Sequence, residues 1–200
     1  MDRLRSLDTV FEHVWTSVQA GASDPGHAFR TANVGTCNGD RPALRTVVVR
    51  AADREARTLS FHTDRQSQKV EDIRRCSRVA WHWWDPESRQ QVRLRGTARI
   101  HTEDGVADAM WERESPASLA VHARTAPSGT PLDAPEDALL DSVQEEPITR
   151  DDVAPGREHF AVVRTVVDIV DWLHLHPEGH YRAQFRCHPE TTVEGEWVVP

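Results

Sequence analysis

RVAWHWWDPESRQQVRLRGTARIH, residues 78–101, decides how this chain is read. Residues 78–84 and 90–101 read as two strands, joined by the turn-forming run Asp85-Pro86-Glu87-Ser88. Alternation puts Trp81 and Trp83 on one face of the first strand, with His82 and Trp84 on the other. In the second strand, Val92, Leu94 and residues 97–100 sit among arginines, as in a strand with one wet face. The tryptophans are expected in core and interface packing rather than as a stacking platform.

Outward from that pair, the chain keeps returning to short strands. Upstream are TLSFHT (58–63) and the runs 27–36 and 43–51, the last two separated by Asn38-Gly39-Asp40, a hairpin signal. Before them, Leu4, Leu7, Val10, Phe11, Val14, Trp15 and Val18 recur at helical spacing over residues 4–20. Gly21 and the turn Ser23-Asp24-Pro25-Gly26 end that helix. Downstream, residues 103–123 turn helical, with Ser115 capping a second piece that starts at Pro116. Residues 125–156 are rich in Pro, Asp and Glu and read as a long surface excursion, with one helical turn at ALLDSV. Strands resume at 159–175, 180–187 and 195–200. Many short strands with a few inserted helices predict an α+β fold built on a closed or nearly closed barrel. All 200 residues form one domain in this reading, with an N-terminal helix at 1–22 and a helical and loop insertion at 102–156.

Composition narrows the function. A net charge of −8 argues against a general nucleic-acid binder, which needs a basic face. No apolar run reaches membrane-spanning length, and the first fifteen residues lack a signal core. Cys37, Cys76 and Cys187 form no CxxC pair and read as reduced thiols, so a cytoplasmic protein is expected.

Lys69 is the single lysine of the chain. It stands near a helix start: Thr63 and Gln66 fit a capping box, and Val70 and Ile73 follow as apolar positions. A helix start offers free backbone N–H groups and a partial positive charge, which together attract phosphate. Ser67 adds a hydroxyl and Lys69 a compact cation. Arg45 and Arg50 bracket Thr46-Val47-Val48-Val49 on a strand, and an anionic ligand is one reason to place charges there. The alternative is that both side chains snorkel outward at the strand ends.

The ordered series RTVVVR (45–50), FHTDRQSQK (61–69) and RVAWHWWDPESRQQVRLRG (78–96) resembles the FMN-binding core of the pyridoxamine 5′-phosphate oxidase family. The closing Trp-Val-Val-Pro is similar to that family's ending. The resemblance covers most of the chain and is weak over 101–160. It implies a split β-barrel with flanking and inserted helices, and a homodimer holding FMN at the subunit interface. It also implies roles. Arg45, Thr46, Val47, Val48 and Arg50 would lie along the flavin and its phosphate. His62 and Thr63 stand where the family has a Tyr-Thr pair on the cofactor. Ser67, Gln68 and Lys69 stand at the family's Ser-Arg-Lys, and Gln91 at the glutamine that reaches the flavin ring. Gln184 replaces a later flavin-contacting arginine.

The substrate side departs from the pattern. Arg113 stands for an arginine of the insertion, but the family's tyrosine falls on Ala109 and its serine near Ala117 or Ser118. An Arg-x-His pair becomes His180-x-Arg182. Arg113 and Arg182 are therefore the residues expected to meet an anionic small-molecule substrate, in a pocket rebuilt relative to the family. No side chain is assigned as catalytic, because a flavin would carry the redox chemistry. The expected activity is that of an FMN-dependent oxidoreductase; the alternative is a non-catalytic carrier of flavin or haem. His174, His176 and His180 suggest zinc or haem ligation. They lack an apparent fourth ligand, and no metal is expected. GxSxG, Walker and GxGxxG motifs are absent.

Overall fold

A computed structural model of the chain describes residues 4–188 and 192–200; the first three residues of the expected N-terminal segment lie outside them. The N-terminal helix α1 (Leu7–Ser23) starts at Ser6, whose side chain accepts the Thr9 N–H. Its apolar stripe buries Val10, Val14, Trp15 and Val18, at about 1.5–3 kcal/mol for a fully buried aliphatic side chain. Among the described residues nine strands follow: β1 (Thr31–Asn38), β2 (Arg41–Val48), β3 (Ala51–Asp53), β4 (Thr58–Asp64), β5 (Arg78–Asp85), β6 (Gln90–His101), β7 (Phe160–His174), β8 (Tyr181–Cys187) and β9 (Val193–Val198). Helix α2 (Gln68–Arg75) lies between β4 and β5. The excursion between β6 and β7 carries α3 (Gly105–Arg113), α4 (Pro116–Leu119) and α5 (Arg150–Val153).

The strands form one antiparallel sheet in the order β2-β1-β5-β6-β7-β4-β3, with β8 on β7 and β9 on β8. The ladder is not closed, which fits a split barrel rather than a closed one. Strand β7 explains the branching. Its first half pairs with β4 and its second half with β8, while β6 runs along its other edge. The register between β6 and β7 shifts at Arg95/Gly96. Gly96 is required there, since a Cβ would lie 2.1 Å from the Val166 carbonyl oxygen.

The expected strand 43–51 is in fact two. β2 ends at Val48, and the chain then changes partners: Val49 N–H donates to Arg30 O, and Arg50 N–H donates to Ser60 O of β4. Residues 49–50 thus step from one edge of the sheet to the other. The β1–β2 turn forms where Asn38-Gly39-Asp40 placed it, with Gly39 at φ 63°.

The alternation in β5 is realised. Trp81 and Trp83 are buried and stacked at 5.8 Å, Phe29 stacks on Trp83 at 5.6 Å, and Trp84 is 44% exposed. Both buried indoles are satisfied, Trp81 Nε1 donating to Thr165 Oγ1 and Trp83 Nε1 to Phe29 O. A second apolar cluster lies under the insertion, where Trp111, Leu119, Val143 and Val153 pack with Phe160 and Val162 of β7. Ser115 caps α4 and Pro116 opens it, as expected, and the ALLDSV turn is a 3-10 helix at Asp141–Val143.

Candidate functional site

The step at 49–50 opens a cavity of about 470 Å³ beside the seam of the sheet. Strand β2 and the step supply Thr46, Val47, Val48 and Arg50; β4 supplies His62, Thr63 and Asp64; α2 supplies Lys69. The insertion closes the far wall with Ala117, Ser118, Val121, His122, Arg124 and Ser128.

Lys69 Nζ donates to Thr63 Oγ1 at 2.9 Å, and the hydroxyls of Thr63 and Ser67 lie 3.2 Å apart. Burial and the nearby Arg45 guanidinium lower the Lys69 pKa against the pull of Asp64 and Asp72. An anion in the cavity would relieve that penalty. The capping box does not form: Thr63 belongs to β4, the N-cap is Ser67, and Ser67 makes no side-chain cap bond. Asp64 organises the approach to the helix instead, accepting the N–H groups of Gln66 (2.7 Å) and Ser128 (3.2 Å).

Arg45 and Gln68 lie just outside the cavity lining, both turned to the fully buried Asp72. Thr36 Oγ1 donates to Asp72 at 2.7 Å, Gln68 Nε2 at 3.0 Å, and Arg45 Nη2 approaches at 3.5 Å. Burial pushes the Asp72 pKa up, but the Gln68 and Thr36 hydrogen bonds and the Arg45 charge together hold it below the ordinary value. This network pins α2 to β1 and β2 and so fixes the position of Lys69.

The inner wall holds two histidines that both pack edgewise on the Phe160 ring, His62 at 4.8 Å and His122 at 5.0 Å. Burial lowers the His62 pKa to about 3, helped by Arg50, His122 and Arg113. Burial lowers that of His122 to about 4, Asp64 opposing and Arg124, Arg50 and His159 assisting. Both are neutral at pH 7. His62 Nε2 is buried without a hydrogen-bond partner in the protein, a polar atom left for a ligand. Beside it, Arg50 Nη1 meets Glu114 Oε2 at 3.1 Å, and Arg113 Nη2 donates to the Arg50 carbonyl at 2.8 Å.

The remaining expected residues gather elsewhere. Asp171 of β7, 5% exposed, accepts from Arg93 (2.8 Å), Arg182 (2.9 Å) and Gln184 (2.8 Å). A second cavity of about 370 Å³ lies over this cluster, lined also by Trp81 and His82. Gln91 hydrogen-bonds His82 at 3.3 Å on the same outer face. His174 and His176 have ring centroids 5.4 Å apart, and no group of three or more potential metal ligands gathers among the described residues. Asp64, His122, Arg124 and Ser128 line the first cavity without having been singled out in the sequence. The His-Ala-Arg run at 122–124 was the available signal, but nothing local says that this segment folds back onto β4.

The residues fit a phosphate-bearing cofactor at the Lys69 end: a cation and the hydroxyls of Thr63 and Ser67 stand together, Thr46 lines the same cavity with its hydroxyl donating to Asn33 Oδ1 at 3.2 Å, and His62 offers an unpartnered imidazole nitrogen. Residues 9–102 match the family model of the pyridoxamine 5′-phosphate oxidase FMN-binding domain. A pyridoxine/pyridoxamine 5′-phosphate oxidase of Anaeromyxobacter dehalogenans is 34% identical over 116 residues, 56% of this chain and 56% of that protein, so the chain matches little more than half of that relative's length. Among solved structures, a pyridoxamine 5′-phosphate oxidase-related FMN-binding protein of Nostoc punctiforme superposes with a TM-score of 0.74 at 22% identity, over 100% of both chains. PhzG of Burkholderia lata, in complex with tetrahydrophenazine-1-carboxylic acid, gives 0.70 at 16% identity, over 100% of this chain and 95% of that one. At such identities the two structures establish the fold.

Proposed function

Because the chain belongs to the pyridoxamine 5′-phosphate oxidase-like family of FMN-binding proteins, we propose that it is an FMN-dependent oxidoreductase acting on a small molecule. The observation that carries the reading is Lys69, the chain's single lysine, held on the Thr63 hydroxyl at the head of α2 inside the first cavity. Lys69, Thr63, Ser67 and Thr46 would hold the phosphate. Val47, Val48 and Arg50 would border the rest of the cofactor, with neutral His62 offering one hydrogen bond. Arg45 and Gln68 act behind them, by fixing α2 through Asp72. Bound FMN supplies the electron transfer. The protein orients the substrate beside it and excludes water. Arg113 holds the strand step through the Arg50 carbonyl.

The working unit in this reading is a homodimer. Leu44 and Trp84 are exposed on the outer face of the sheet, at 76% and 44%. Gln91, Arg182 and Gln184 lie on that side, away from the chain's own cavity. In a two-fold dimer they would meet the partner's cofactor and substrate. Three free cysteines fit a reducing, cytoplasmic setting; among the described residues no helix is long and apolar enough to cross a membrane.

The test is to denature the purified protein, identify the released chromophore, and assay reduction and reoxidation of the flavin with candidate substrates. FMN with turnover is expected. FAD or haem as the main species would sink the cofactor assignment, and FMN without turnover by any donor would favour a carrier.

A further inference from the structure

One of the cavity's cations already has a counter-ion, on a residue set just behind the lining. Lys69 meets a hydroxyl, whereas Arg50 meets the carboxylate of Glu114 at 3.1 Å, with side chains only 19% and 11% exposed. Glu114 is held in place from behind. Arg150 donates to the carbonyls of Trp111, Glu112 and Glu114, so the residue that follows α3 is clamped to α5. Of the other side chains in the lining, His62 and His122 are neutral at pH 7, while Asp64 and Arg124 add one group of each sign.

We propose that Glu114 is a built-in counter-ion for Arg50, and that it makes the Arg50 end of the cavity select a substrate with no phosphate or carboxylate there: a neutral or cationic molecule. The proposal rests on the FMN reading of the same cavity. An incoming anion would have to displace Glu114 from Arg50 or sit beside it. The first leaves a buried carboxylate unpaired, and the second sets two like charges together with little water between them. A neutral hydroxyl or amine pays neither cost, and the Ser118 hydroxyl remains to receive it. An anion is then directed away from Arg50 and toward Lys69.

The experiment compares FMN-loaded wild type with Glu114→Gln, each titrated with pyridoxine 5′-phosphate and with pyridoxine, by flavin absorbance and calorimetry. Wild type is expected to bind the phosphate ester no more tightly than the alcohol, including no binding of either. Glu114→Gln is expected to gain tenfold or more for the ester, with the alcohol unchanged. A wild-type preference of tenfold or more for the ester overturns the proposal. So does a folded, FMN-loaded Glu114→Gln without the gain, since a bridge that merely tethers α3 would cost stability and leave selectivity alone. If the variant does not fold, the wild-type comparison decides by the same criterion. Failure to load FMN shows before any second ligand is added and counts against the cofactor reading alone. The titrations are then run in a Lys69→Ala background, which removes the other anion site, and the same gain is required there.

Discussion

His62 and His122 show what burial does at the scale of one residue. Both have pKa values far below the ordinary 6.5, at about 3 and about 4, mainly through desolvation. In the unfolded chain they take up protons as pH falls below about 6.5, and in the folded chain they do not. The unfolded state therefore binds more protons in this window, and stability falls with falling pH. Between pH 6.5 and 4, each histidine should remove up to about 1.4 kcal/mol per pH unit. Below that window the depressed carboxylates Asp72 and Asp171 take over. Denaturant unfolding at stepped pH checks this, and His122→Gln should flatten the slope between pH 6.5 and 4 by about half. An unchanged slope would mean the ring is not kept neutral by the fold. At this scale the sequence was informative for Lys69, Thr63 and His62, which stand in one short run. It was silent on His122, which is sixty residues away from His62 and reaches it only through packing on Phe160.

At the scale of elements, α2 matters because of what pins it. Asp72 gathers Thr36, Gln68 and Arg45, and thereby ties the helix to β1 and β2. Asp72→Ala leaves the Arg45 guanidinium partly buried without its carboxylate. It should cost about 3–5 kcal/mol of stability and weaken FMN binding although Asp72 does not line the cavity; chemical denaturation and FMN titration of the same variant measure both. A variant as stable as wild type would remove the network from the account. Gly96→Ala should be at least as damaging, because its Cβ would lie 2.1 Å from backbone that both β6 and β7 fix. Little soluble protein is expected, and normal expression with an unshifted melting temperature would contradict the register change. The helix and its approximate start were readable from residues 63–73. The cap was not, because the strand was read to end on Thr63, whereas β4 runs on to Asp64 and the cap falls on Ser67. The break of one expected strand into β2 and β3 was hidden for a related reason: Val49 and Arg50 keep extended geometry and change only their partners.

At the scale of the whole molecule, the strand pattern around residues 78–101 carried the α+β reading, and the ordered motifs carried the family. What they could not carry was which residues share a cavity within one chain. Gln91, Arg182 and Gln184 lie on the outer face with Asp171 and His82, not with Lys69. The proposed dimer accounts for that division. Sedimentation at micromolar concentration should give twice the chain mass, and Trp84→Glu should shift it toward monomer and reduce FMN retention together. A flavin-loaded wild-type monomer would break the dimer reading. The central claim, that the first cavity holds the FMN phosphate on Lys69, is tested most directly by titrating wild type and Lys69→Ala with FMN and with riboflavin. Loss of one charge-assisted hydrogen bond, roughly 1.5–3 kcal/mol, should weaken FMN about ten- to a hundredfold and leave riboflavin nearly unchanged. Unchanged FMN binding, or equal weakening of both ligands, would contradict it.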